Sequence, residues 1–88
     1  MKLSVVMPAY NEVETIDVIV ARVDAVPLEK EIVIIDDGST DGTREKLAGI
    51  DERYPSVRVI YHEKNQGKGG ALRTGFAAVT GDVVIVQD

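Results

Sequence analysis

Runs of β-branched and apolar residues alternate along this chain with segments of helical spacing, from one end to the other. Leu3 to Met7 reads as a first strand, closed by Pro8, which has no N–H to give to a ladder. A helix is expected from about Glu12 to Ala25, where Ile16, Ile19, Val20 and Val23 recur at the i, i+3, i+4, i+7 spacing of one buried face. Asn11 stands at its start with Glu14 three residues on, as in a capping box, and Pro27 prevents continuation. Glu31 to Asp36 is a second strand; its unbroken Ile32-Val33-Ile34-Ile35 run suits a strand covered on both faces, as in parallel sheets. Thr40 or Asp41 then caps a second helix to about Arg53, amphipathic through Leu47 and Ile50. Val57 to Tyr61 is the third strand. A third helix runs from about Lys68 to Thr80, with Leu72, Gly75, Phe76 and Val79 on one face and Gly81 as its stop. Val83 to Val86 forms the fourth strand.

Strand–helix–strand crossovers are right-handed in nearly all cases, so this βαβαβαβ order predicts an α/β fold, a Rossmann-like doubly wound parallel sheet. The expected strand order is 3-2-1-4, with the first two helices on one face and the third on the other. The order reverses between strands one and four, and ligands bind in the crevice at such a reversal. The loop after Met7 would line one side of it and Asp88 the other. The fourth strand is as apolar as a central one yet forms an open edge, which invites a homodimer paired through that strand.

At 88 residues the chain makes one domain, and one of this size buries roughly 60–65% of its unfolded surface. It has no cysteine, which excludes a disulfide framework and a cysteine-based zinc site and suits the cytoplasm. No apolar stretch approaches the ~20 residues that span a bilayer, so no transmembrane segment is expected. Met1-Lys2-Leu3 does not open a signal peptide. The net charge of −5 argues against nucleic acid as the main partner. Its distribution says more: residues 1–57 carry six Lys or Arg against twelve Asp or Glu, and residues 58–88 carry four against three. An anion is therefore best received near Lys64, Lys68 and Arg73, which can equally be read as solvated surface.

Three loops follow strand ends. In Asp36-Asp37-Gly38-Ser39 the two carboxylates point in different directions, because successive strand side chains alternate. One can accept from a base or ribose while the other braces the loop; the same segment also reads as a polar turn with helix caps. In Pro8-Ala9-Tyr10-Asn11-Glu12, Tyr10 could stack on a base and Glu12 could accept from a base edge or ribose, or the segment merely starts a helix. Asn65-Gln66-Gly67-Lys68-Gly69-Gly70 enters a helix N-terminus, where free N–H groups favour an anion. It lacks P-loop spacing, and the first loop lacks the glycines of a dinucleotide fingerprint, which disfavours a nicotinamide-binding half. His62 has no partner in the sequence and reads as structural.

Together these motifs carry a resemblance. Val5-Val6-Met7-Pro8-Ala9-Tyr10-Asn11-Glu12, Ile34-Ile35-Asp36-Asp37-Gly38-Ser39-Thr40-Asp41-Gly42-Thr43, Asn65 to Phe76 and the Gly81-to-Asp88 segment closely resemble the N-terminal half of the catalytic domain of family 2 glycosyltransferases, which have the GT-A fold. The likeness spans essentially the whole chain, and the third motif looks like the branch that moves mannose or glucose from a nucleotide sugar to a polyprenyl (dolichol-type) phosphate. The resemblance implies that Pro8, Tyr10 and Glu12 line the nucleoside pocket, that Ile35 and Asp37 hold the base or ribose, and that Asp36 supports them. Lys68 and Arg73 would assist electrostatically. Asp88 would match the first carboxylate of the family's Asp-x-Asp motif, which holds Mg²⁺ or Mn²⁺ against the donor diphosphate, of the GDP-mannose or UDP-glucose class. The parent activity would be an inverting transfer at the cytoplasmic face of a membrane. The second Asp, the acceptor half and a general base are not in residues 1–88, so no catalytic residue is assigned and the chain alone is expected to be inactive: one incomplete domain, the donor-binding half. The alternative is a non-catalytic nucleotide-binding or self-associating minimal α/β module.

Overall fold

The structure, a computed structural model, describes residues 1–87. Its elements are β1 (Leu3–Ala9), α1 (Ile16–Asp24), β2 (Lys30–Asp36), α2 (Thr43–Arg53), β3 (Val57–Tyr61), α3 (Gly67–Ala78) and β4 (Val83–Val86). The strands form one sheet in the order β3-β2-β1-β4, and every pairing is parallel.

The doubly covered sheet follows from the apolar runs. Val5, Met7, Ile32 and Ile34 face one side, where Ile16 and Val20 of α1 and Leu47 and Ile50 of α2 pack on them. Val6, Val33 and Ile35 face the other, against Ala71 of α3. Thus α1 and α2 share one face and α3 takes the other, as a 3-2-1-4 order with right-handed crossovers requires.

Several boundaries differ from expectation, each for a physical reason. Pro8 does not close β1, which continues to Ala9 with Pro8 paired to Ile35. Val6 C=O turns toward β4 and accepts from Gln87 N–H; residues of the same parity face the same neighbour, so the ring of Pro8 points to the side where the β4 ladder has already ended at Val6↔Val86. α1 starts four residues later than Glu12, after Thr15, and Asn11 is not its cap. α2 is preceded by Gly42 at φ 104°, not by Thr40 or Asp41. α3 ends at Ala78, ahead of Gly81. Phe76 is half exposed rather than part of the buried face. The reason is Gly75: α3 comes so near the sheet there that the face centres on Ala71, Gly75 and Ala78, leaving Phe76 to one side.

The apolar edge anticipated from the sequence is present. Val83, Val84, Ile85 and Val86 are each exposed on the strand's outer side and faces.

Candidate functional site

All three loops emerge at the carboxyl rim of the parallel sheet. Side chains of the second loop lock the first in place. Asn11, at φ 50°, donates its N–H to Ser39 Oγ, and its own Oδ1 accepts from Thr40 N–H at 2.8 Å. Glu12 N–H donates to Thr43 Oγ1 and Val13 N–H to Asp41 Oδ2. Asp41 Oδ1 accepts from the N–H and hydroxyl of Thr43, which hold its carboxyl below the ordinary range despite opposing desolvation. Residues that read as local caps therefore fasten two loops to each other.

The adjacent carboxylates diverge as the strand pleat demands. Asp36 follows Ile34 toward α2, is fully buried, and meets Arg44 Nε at 3.3 Å; its Oδ2 also accepts from Ser39 N–H. Its Oδ1 has no hydrogen-bond partner among the described residues. Arg44 lies over the Tyr61 ring at 4.9 Å. Asp37 turns toward α3, and its Oδ1 accepts from Gln66 N–H at 2.8 Å and faces His62 Nδ1 at 2.9 Å. Burial pushes the Asp37 carboxyl up, but the Gln66 N–H and His62 outweigh it and hold the group below its ordinary value. Gly38, at φ 80°, lets the third loop come close: a side chain there would meet the backbone N of Asn65 at 2.8 Å.

Pro8, Tyr10, Glu12, Asp37 and Lys68 line one hollow of about 220 Å³ with Ala9, Asn65, Gly67 and Ala71. Tyr10 presents a half-exposed ring to it, and the first turn of α3 supplies backbone N–H groups without acidic residues. A larger open hollow of about 820 Å³ along α1, lined by Val13, Val18, Ile19 and Arg22, shares Glu12 but lacks convergent buried polar groups. The smaller one has them and adjoins the β1/β4 reversal, so it is the better site.

The remaining expected residues lie elsewhere. The Ile35 side chain is fully buried under α3 in the core. Asp36 sits on the α2 side of the sheet, and Arg73 is exposed on α3 outside the hollow. Asp88, expected to hold the metal, lies outside the described residues. Among the described residues no group of three His, Cys, Asp or Glu could hold a metal ion, and Asp36 and Asp37 are already engaged by protein donors. These residues do not fit a divalent cation by themselves.

Sequence reasoning missed the partner of Asp37. Register pairs Asp36 with Tyr61, so the next residues, Asp37 and His62, leave adjacent strands side by side. That signal needs only the strand order.

The fold and rim define a Rossmann-like α/β domain of the GT-A kind. Residues 4–88 match the profile of glycosyl transferase family 2, and the chain belongs to that family. It is 41% identical to a dolichol-phosphate mannosyltransferase of Pyrococcus furiosus, across all of this chain and 25% of that protein. The structure of S. aureus TarS 1–349 in complex with UDP superposes with a TM-score of 0.89 at 27% identity, over all of this chain and 27% of that one. The mannosyltransferase PcManGT from Pyrobaculum calidifontis, in complex with GDP-Man and Mn²⁺, gives 0.86 at 28% identity, over 93% of this chain and 25% of that one. The chain thus spans about a quarter of the length of these relatives. No helix among the described residues is long and apolar enough to cross a membrane.

Proposed function

We propose that the hollow at the carboxyl rim takes the nucleoside diphosphate part of a sugar donor, for hexosyl transfer to a polyprenyl-phosphate acceptor. The observation that carries this reading is the convergence of Tyr10, Glu12, Asp37 and Lys68 in one hollow beside the β1/β4 reversal. Tyr10 stacks on the base, and Asp37 accepts from a base N–H or a ribose hydroxyl, with Pro8 and Glu12 completing the wall. Ile35 and Asp36 support from beneath; Lys68 and Arg73 favour the diphosphate. In the transfer, an acceptor oxygen bonds to the anomeric carbon as the bond to the diphosphate breaks, and the nucleoside diphosphate leaves. Asp88 with Mg²⁺ or Mn²⁺ would neutralise that leaving group. The 88-residue chain binds donor without completing the reaction.

Calorimetric titration with UDP and GDP tests this. The chain is expected to bind at least one of them, and Asp37→Ala to lose about tenfold or more in affinity, as removal of an acceptor inside a hydrogen-bonded pocket does. Equal affinity in the two proteins contradicts the assignment.

A second reading, the self-associating non-catalytic module, draws on β4. Its four apolar residues are each exposed along an edge with open ladder groups. Sedimentation at increasing concentration is expected to show a dimer, which a charged residue at Ile85 abolishes. A monomer at all concentrations contradicts pairing through this edge.

A further inference from the structure

His62 lies beneath the hollow, 7% exposed, and bridges its walls. Its N–H donates to Asp36 C=O at 2.9 Å, extending the β2–β3 ladder, and its own C=O accepts from Arg44. The ring therefore has a fixed origin. From there Nδ1 reaches Asp37 Oδ1 at 2.9 Å, and Nε2 reaches Thr74 Oγ1 at 2.8 Å. The Thr74 hydroxyl is also 3.1 Å from Gly70 C=O, so the imidazole links the loop after β2 to the first turns of α3.

Hydrogen counting orients the ring. An ionised carboxylate only accepts, so Nδ1 must carry the hydrogen shared with Asp37. Gln66 N–H points at the same oxygen. With two protein donors on Oδ1, a ligand donor is left with Oδ2, and Asp37 lines the hollow. We propose that His62 is a positioning residue: by donating from Nδ1 it commits Asp37 Oδ1 and turns Oδ2 toward the hollow as acceptor for a base N–H or ribose O–H. The role rests on the nucleotide reading of that hollow. His62 touches no ligand; it acts through Asp37.

Three variants and a spectroscopic signature test it. Asn places an amide N–H near the position of Nδ1, whereas Gln extends it toward that of Nε2 and Thr74. His62→Asn is expected to keep UDP or GDP affinity within about threefold, while His62→Gln and His62→Leu lose about tenfold, the scale of one charge-assisted hydrogen bond. Thermal melts of the Asn and Gln variants should coincide. In the unliganded chain, long-range ¹H–¹⁵N correlations should show a hydrogen on Nδ1, with the pattern altered in Asp37→Ala. Binding by the wild type with equal losses in the Asn and Gln variants, or with none in His62→Leu, overturns the positioning role alone. A ring without a hydrogen on Nδ1 overturns it as well. A wild type that shows Nδ1–H yet takes neither nucleotide overturns the nucleotide reading and this role with it.

Discussion

Gly75→Val is expected to lower the unfolding free energy by about 3 kcal/mol, the upper end of overpacking costs. A Cβ at this position would stand 2.5 Å from Val6 Cγ1 and 2.8 Å from Ile35 Cδ1. Both neighbours are fully buried, and Val6 is β-branched on the central strand, so neither can swing aside into solvent. The helix must lift from the sheet, pulling the third loop away from Asp37. An 88-residue chain has only about 4–13 kcal/mol in total, so the melting temperature should fall by more than about 10 °C. Gly49→Ala is the control. Nothing lies within 4 Å of a Cβ there, and α2, which carries it, gains about 0.5–1 kcal/mol in propensity. Melting followed by circular dichroism checks both; a Gly75→Val melt within a few degrees of wild type contradicts the seating of α3.

Acid is expected to unfold the chain through Glu31. At the rim opposite the hollow, its Oε2 accepts from Ser4 Oγ at 2.6 Å, from Thr80 N–H at 2.6 Å and from the Thr80 hydroxyl at 3.1 Å. Lys2 and Arg58 lie 4.0 and 3.8 Å from Oε1. Desolvation raises the pKa, but the hydrogen bonds from Ser4 and Thr80, with Lys2 behind them, bring it from 4.5 to about 2. The folded-state value is depressed, so the stabilisation is complete above pH 4.5 and is lost as pH falls toward 2. Its size is about 3 kcal/mol at most, because the two cations are partly exposed and screened. Urea unfolding from pH 7 to 2.5 measures the loss, and Glu31→Gln should remove most of that pH dependence. An unchanged slope in the variant contradicts the assignment.

The fold was legible because its signals are local. Unbroken runs such as Ile32 to Ile35 mark doubly covered strands, and their alternation with helical spacing leaves few topologies. What escaped was contact between segments distant in sequence. Asn11, Ser39, Asp41 and Thr43 have the chemistry of helix caps, yet each serves a neighbouring loop's backbone as well as or instead of its own. His62 looked solitary because Asp37 lies 25 residues away and meets it only through strand register. Phe76 misled in the opposite sense: helical spacing placed it on the buried face, but close approach at Gly75 rotated that face away. The hollow's own wall, Pro8, Tyr10, Glu12, Asp37 and Lys68, was readable because it sits at strand ends and a helix start.

The central claim is that a nucleoside diphosphate enters at the carboxyl rim of this sheet. The direct measurement is amide chemical-shift mapping of the labelled chain during titration with UDP and with GDP. The account predicts shifts confined to residues 9–12, 37–39 and 65–71. The opposite rim is a demanding control, since Lys2, Lys30 and Arg58 gather there and would attract any polyanion. Shifts centred on those three residues, or none with either nucleotide, would contradict it.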